Sequence, residues 1–123
     1  MKTDNCAFCS NVEMVLENNL AFAIFDKYPV NKGHLLIIPK RHVSDFFDTT
    51  DEERAAFNEL LEEGKKLLDS KFRPDGYNIG VNCGETAGQT IFHVHVHLIT
   101  RFFGDMEDPR GGVRGVIPEK QKY

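Results

Sequence analysis

Apolar positions recur along the chain with two different periods, and each predicts a different element. Leu20 opens a β-prone run, LAFAIFDKYPV, that Asp26, Lys27 and Pro29 close. KGHLLIIPK follows, continuously apolar from Leu35 to Ile38 between Gly33 and Pro39, and predicts a second, more deeply buried strand. Together the two runs read as an antiparallel hairpin.

The period changes in TTDEERAAFNELLEEGKKLLDSKF. Phe57, Leu60, Leu61, Gly64 and Leu68 recur at three- and four-residue intervals, so one stripe of a helix faces a sheet. Thr50 or Asp51 supplies the N-cap, acids fill the first turn, and Lys65 and Lys66 lie late, as the helix dipole favours. GYNIGVN, from Gly76 to Asn82, predicts another strand, CGETAGQ a loop, and TIFHVHVHLIT, from Thr90 to Thr100, a central strand. The tail, residues 102–123, is rich in glycine and charge and reads as extended or irregular. A helix between two groups of strands predicts an α+β fold with a mainly antiparallel sheet. With no repeat and no linker, residues 1–123 read as one domain.

Composition narrows this picture. At 123 residues, 41% hydrophobic and with ten phenylalanines, the chain can bury one real core. Three cysteines are too few and too odd in number for a disulfide framework. No window approaches the roughly 18 apolar residues of a membrane span, and MKTDNCAFCSN lacks the layout of a signal peptide. The expectation is a soluble, cytoplasmic protein with no membrane partner. A net charge of −4 argues against a nucleic-acid polymer as partner, because such binding rests on many Lys and Arg contacts.

The candidate chemistry lies in the last predicted strand. His93, His95 and His97 alternate, so they share one face while Phe92, Val94, Val96 and Leu98 supply the opposite, buried one. Imidazoles spaced about 7 Å apart along a strand can converge on one ligand. They can ligate a catalytic metal that activates water, or one can attack phosphorus while its neighbours bind oxygens and move protons. The adjoining NCGETAGQT favours phosphate: Gly84 and Gly88 let backbone N–H groups turn toward an anion, and Gln89 and Thr90 add neutral donors. In CAFC, Cys6 and Cys9 have the spacing of half a metal site, a spacing that two small buried residues also fit.

HVHVHLI also matches His-φ-His-φ-His-φ-φ, the signature of the histidine triad (HIT) superfamily of nucleotide hydrolases and transferases. FAIFDKYPVNKGHLLIIPKRH resembles that superfamily's first hairpin, and GYNIGVNCGETAGQT its next strand and phosphate loop. The resemblance runs from about Cys6 to Arg101. It implies a five-stranded antiparallel sheet with one long helix and a short N-terminal helix, paired as a homodimer. It implies that His95 attacks the α-phosphorus to form a nucleotidyl-histidine, that His97 contacts the phosphate oxygens and assists the leaving group, and that His93 supports them. His34 matches a fourth active-site histidine, Asp26 a ribose-binding position, and Asn82, Gly88, Gln89 and Thr90 the phosphate-binding positions. No catalytic metal is required by this scheme, whereas Cys6, Cys9, His42 and His93 match the ligands of a structural zinc in zinc-bearing members.

The implied activity is hydrolysis at the α-phosphate of an AMP-containing substrate, either a dinucleoside polyphosphate or an AMP ester or amide. FAIFDKYPV leans toward the Fhit-like, diadenosine-polyphosphate branch, and Asp26 toward the Hint-like, phosphoramidate branch. A nucleotidyltransferase or phosphorylase, or a non-catalytic nucleotide-binding regulator, would share the same fold. Cys83 reads as a loop residue without a role, and Arg101, Arg110 and Arg114 as solvated surface.

Overall fold

The computed structural model describes residues 6–10 and 12–123. Five strands, β1 (Leu16–Glu17), β2 (Ala21–Phe25), β3 (Leu35–Pro39), β4 (Gly76–Val81) and β5 (Val96–Arg101), form one sheet in the order β1-β2-β3-β5-β4. Every neighbouring pair is antiparallel. The expected hairpin is β2 with β3, in a register that sets Ala23 opposite Ile37.

The helix α1, Asp51–Phe72, lies across one face of the sheet. Phe57 and Leu60 pack with Ala21, Ala23, Ile37 and Val96, while Leu68 packs with Leu35 and Leu98. Leu61 is only half-buried at the border of these clusters. Gly64 sits where the helix comes nearest the sheet: a Cβ there would stand 3.1 Å from Leu35 Cδ1 and 3.2 Å from Leu98 Cδ2. Its position in an otherwise apolar stripe is therefore a matter of clearance.

Thr50 is the N-cap. Its hydroxyl accepts from the Glu53 N–H at 3.0 Å, and the Glu53 carboxylate accepts from the Thr50 N–H at 2.9 Å, a complete capping box. Glu53 is buried, and its charge is met by Arg41, whose Nε and Nη2 donate to the two carboxylate oxygens at 3.0 and 2.8 Å. The helix cap is thereby tied to the segment that follows β3.

Two sequence expectations need correction. The histidine strand is regular only from Val96 onward; residues 91–95 approach it irregularly. Phe92, expected in the buried face, is 47% exposed. Pairing of β5 stops at Val96, opposite Ile37 of β3 and Val81 of β4, so the approach has no ladder on either side and is anchored at Val94, whose N–H donates to the Val43 C=O at 2.8 Å. Side-chain alternation fails where the ladder fails. At the N-terminus, residues 1–5 and 11, part of the stretch expected to hold a short helix, lie outside the described residues, and Ala7–Cys9 form a turn closed by Cys9 N–H to Cys6 C=O. In the tail, Gly112–Val116 and Pro118–Lys120 form short 3-10 turns.

Hydrogen bonds from Arg41, and then from the Thr50 backbone, hold the Glu53 carboxyl below its ordinary value despite burial. A depressed carboxyl stabilises the fold above the unfolded-state value of about 4.3 and loses that contribution as pH falls through the folded value. Urea unfolding of Glu53→Gln against the parent should therefore show a stability gap at pH 7 that narrows steadily below about pH 4. A gap independent of pH would show that the charge of Glu53 is not what the helix cap uses.

Candidate active site

The histidines occupy their positions because β5 is held between β3 and β4, with Val96, Leu98 and Thr100 buried beneath the helix and His97 left on the other face. Each ring's proton can be placed from its partners, because only a protonated nitrogen donates to a carbonyl. His95 Nδ1 lies 3.0 Å from the His93 C=O, so Nδ1 carries the proton and Nε2 keeps its lone pair. Phe8 meets the same ring edge-on at 5.0 Å between centroids.

His34 is buried and receives the Val30 N–H on Nδ1 at 3.1 Å, which puts its proton on Nε2. That nitrogen faces His97 Nδ1 at 2.9 Å and Asp26 Oδ2 at 3.5 Å. His97 Nδ1 is then an acceptor, and its own proton resides on Nε2. Burial, together with the neighbouring His95 and His34, pushes His97 down to about 4 against the upward pull of Asp26. Burial likewise lowers His34, with Asp26 opposing. Near neutral pH the pair is thus an uncharged chain, and the His97 ring meets that of His95 at 5.1 Å between centroids.

His93 faces elsewhere. Fully buried, it donates Nε2–H to the Pro39 C=O at 2.8 Å, which leaves Nδ1 bare and 3.4 and 3.5 Å from the sulfurs of Cys6 and Cys9. His42 Nδ1 is 3.2 Å from Cys9 Sγ. The four ligand atoms of Cys6, Cys9, His42 and His93 lie within 4.8 Å of one another, and two thiols with two imidazoles are a donor set suited to tetrahedral zinc. Asp26, His34 and His97 cluster as closely. Their protons tell them apart: His34 Nε2 is occupied by the hydrogen it gives to His97, so that group is a hydrogen-bond chain.

His95 and His97 line a cavity of about 880 Å³. Its apolar end is Phe8, Val12, Ile24 and Ile91, which pack together, and its polar end includes Asp26, Asn82, Gly88, Gln89 and Thr90. Asp26 is oriented by the Tyr28 N–H, which donates to Oδ1 at 3.0 Å. Gly84 and Gly88 have φ of 93° and 99°, the left-handed backbone the loop needs. Gln89 is placed differently from its sequence reading as a phosphate donor: its Oε1 accepts from the Gly84 N–H, and its Nε2 donates to the Ser44 and Ile91 carbonyls. Its side chain braces the loop. The pattern of the sequence did not reveal Phe8; only its position between the two cysteines hinted at it. The carbonyls of Pro39 and His93 leave no trace in a sequence at all.

The family profile of the HIT domain matches residues 10–104. A HIT family protein from Bacillus anthracis superposes with a TM-score of 0.77 at 36% identity, covering 85% of this chain and 78% of that one. A Zn-bound histidine triad family protein from Mycobacterium smegmatis superposes at 0.76 and 32% identity, covering 85% and 80%. The AP-4-A phosphorylase of Mycobacterium tuberculosis is 37% identical over 93 residues, which are 75% of this chain and 48% of the phosphorylase. The chain belongs to the HIT family, with the family's five-stranded antiparallel sheet and single long helix.

The proton assignments can be read directly. In 15N-labelled protein, long-range histidine correlations should show His97 neutral and protonated on Nε2 at pH 6, gaining its second proton only near pH 4. A His97 that is doubly protonated at pH 6 would break the chain from His34.

Proposed function

We propose that this chain hydrolyses AMP-containing substrates, dinucleoside polyphosphates or AMP esters and amides, through a nucleotidyl intermediate on His95. The observation that carries the reading is the His93 C=O to His95 Nδ1 hydrogen bond, because it presents an unprotonated Nε2 in a ring that lines the large cavity. The apolar end of the cavity suits a purine, and Asp26 suits the ribose hydroxyls. Asn82, Thr90 and the turn at Gly88 suit the α-phosphate, whose charge preorganised donors meet without reorganisation.

The lone pair of His95 Nε2 forms the N–P bond while the bond from phosphorus to the leaving atom breaks, its electron pair going to that atom. The anionic phosphate draws a proton onto the His34–His97 pair, as a nearby opposite charge favours, and His97 Nε2–H delivers it to the leaving atom. Water then attacks phosphorus, gives a proton back to His97, and the N–P electron pair returns to Nε2 as AMP departs. His34 and Asp26 keep His97 in the required tautomer, while Gln89 holds the shape of the loop.

Two associations accompany this reading. A structural zinc on Cys6, Cys9, His42 and His93 would fix the His93 side chain, and with it the carbonyl that sets the tautomer of His95. A homodimer through β4 is favoured by that strand's unpaired edge and its half-exposed Ile79. The likeness to a phosphorylase supports one variant of the scheme, in which inorganic phosphate replaces water as acceptor and ADP replaces AMP as product.

Alkaline denaturing quench during turnover, which preserves the acid-labile N–P bond, followed by intact mass spectrometry at high pH, should trap one adenylyl group per chain, lost in His95→Gly along with at least about a thousandfold of the rate. Steady turnover with no trapped adduct, or a His95→Gly variant that still cleaves, would overturn the mechanism. Parallel reactions with and without inorganic phosphate separate the two acceptors.

For the metal, elemental analysis of protein purified without chelator should find close to one zinc per chain. Its removal should lower the melting temperature, and Cys9→Ser should abolish retention. Protein purified free of metal, with a melting temperature indifferent to added zinc, would exclude the structural site.

A further inference from the structure

The order of strands beneath the cavity gives the ligand a direction. Ile24 and Asp26 come from β2 and its end, Leu36 from β3, and His95 and His97 from β5 and its approach. A nucleotide whose base and ribose lie over β2 and β3 and whose phosphorus is at His95 therefore points its remaining substituent across β5 toward β4.

The residue that meets it there is Gly80, directly opposite His97 in the β4–β5 register and hence on the same face of the sheet. Glycine inside a strand costs roughly 0.5–1 kcal/mol relative to alanine, and nothing local requires it here. Its φ is not positive, and a Cβ built on it would meet no atom within 4 Å. A strand glycine explained by neither backbone nor packing marks a place where another group approaches closely. The next pair along this face, Asn78 opposite Ile99, lines a second cavity of about 270 Å³, together with Val30 and Arg101. Val30 also gives its N–H to His34, so this cavity abuts the His34–His97 chain.

Charge decides what the second cavity accepts. Arg101 donates from Nε and Nη2 to Asp105 at 2.9 and 2.8 Å, and from Nη1 to Asn78 Oδ1 at 2.7 Å. The guanidinium charge is thus compensated by Asp105, with three of its five N–H groups engaged, and Ile99, Val30 and Met106 stand beside it.

We propose that Gly80 is the floor of a leaving-group subsite that opens over β4, continues into the cavity at Asn78 and Ile99, and accepts compact uncharged groups. The proposal rests on the reading that an adenylyl phosphorus sits at His95, and the site then selects substrates by what departs.

Titration calorimetry with adenosine 5′-sulfamate and its N-butyl derivative isolates the subsite, since the two ligands differ only in the extension and neither transfers a phosphoryl group. Gly80→Val should raise the ratio of the butyl to the parent Kd at least tenfold over its value in the unaltered protein. A ratio within twofold would overturn the proposal. In the unaltered protein the butyl ligand should also shift the amide resonances of Gly80 and Ile99 relative to the parent ligand, and identical spectra would overturn it equally. Failure of both sulfamates to bind would instead refute the adenylyl reading itself, and the subsite with it.

Discussion

The site depends on one carbonyl. The C=O of His93 accepts the Nδ1 proton of His95, and without that bond the ring could rotate or change tautomer and withdraw its lone pair. The carbonyl is itself located by the side chain on the same residue, which is fully buried and anchored to Pro39 at one nitrogen while the other faces two cysteines. The cavity-lining ring of His95 and the buried ring of His93 are thus linked through one short stretch of backbone. The irregularity of residues 91–95 permits this: a regular ladder would engage the His93 carbonyl with a neighbouring strand.

The second organising element is the uncharged chain from Val30 through His34 to His97. Burial removes the option of a charged imidazole at rest, so the rings must satisfy one another, and they do so in the one order that leaves Nε2–H of His97 outermost. Asp26 stands at the hinge of this chain, close enough to compensate a proton should one arrive, and its other oxygen is held by the backbone of Tyr28.

Much of this was legible in the sequence because it was periodic. The helix matched to its cap, since Thr50 and Glu53 satisfy backbone groups that every helix leaves open. The hairpin and the strand after the helix were equally plain, whereas His34 joined His95 and His97 only through the resemblance to the histidine triad superfamily. What could not be read has a common cause, namely contacts in which backbone rather than side chain is one partner. Phe92 fell out of phase because its neighbour Val94 has one anchor at Val43 in place of a ladder. Gln89 turned inward because Gly84, Ser44 and Ile91 offer it backbone partners that no residue pattern announces. β1, two residues long, is below any periodic signal.

The placement of β5 also has a bearing on how the chain reaches this state. It is the last strand in sequence, yet it lies between β3 and β4, so the sheet cannot close until the final third of the polypeptide inserts into a waiting gap. Contacts as distant in sequence as His34 with His97, 63 residues apart, form only at that step. Until then two strand edges stay open to chance pairing, a hazard characteristic of partly folded chains. During synthesis on the ribosome, the nascent chain therefore has neither a finished core nor a nucleotide pocket before its C-terminal segment has emerged.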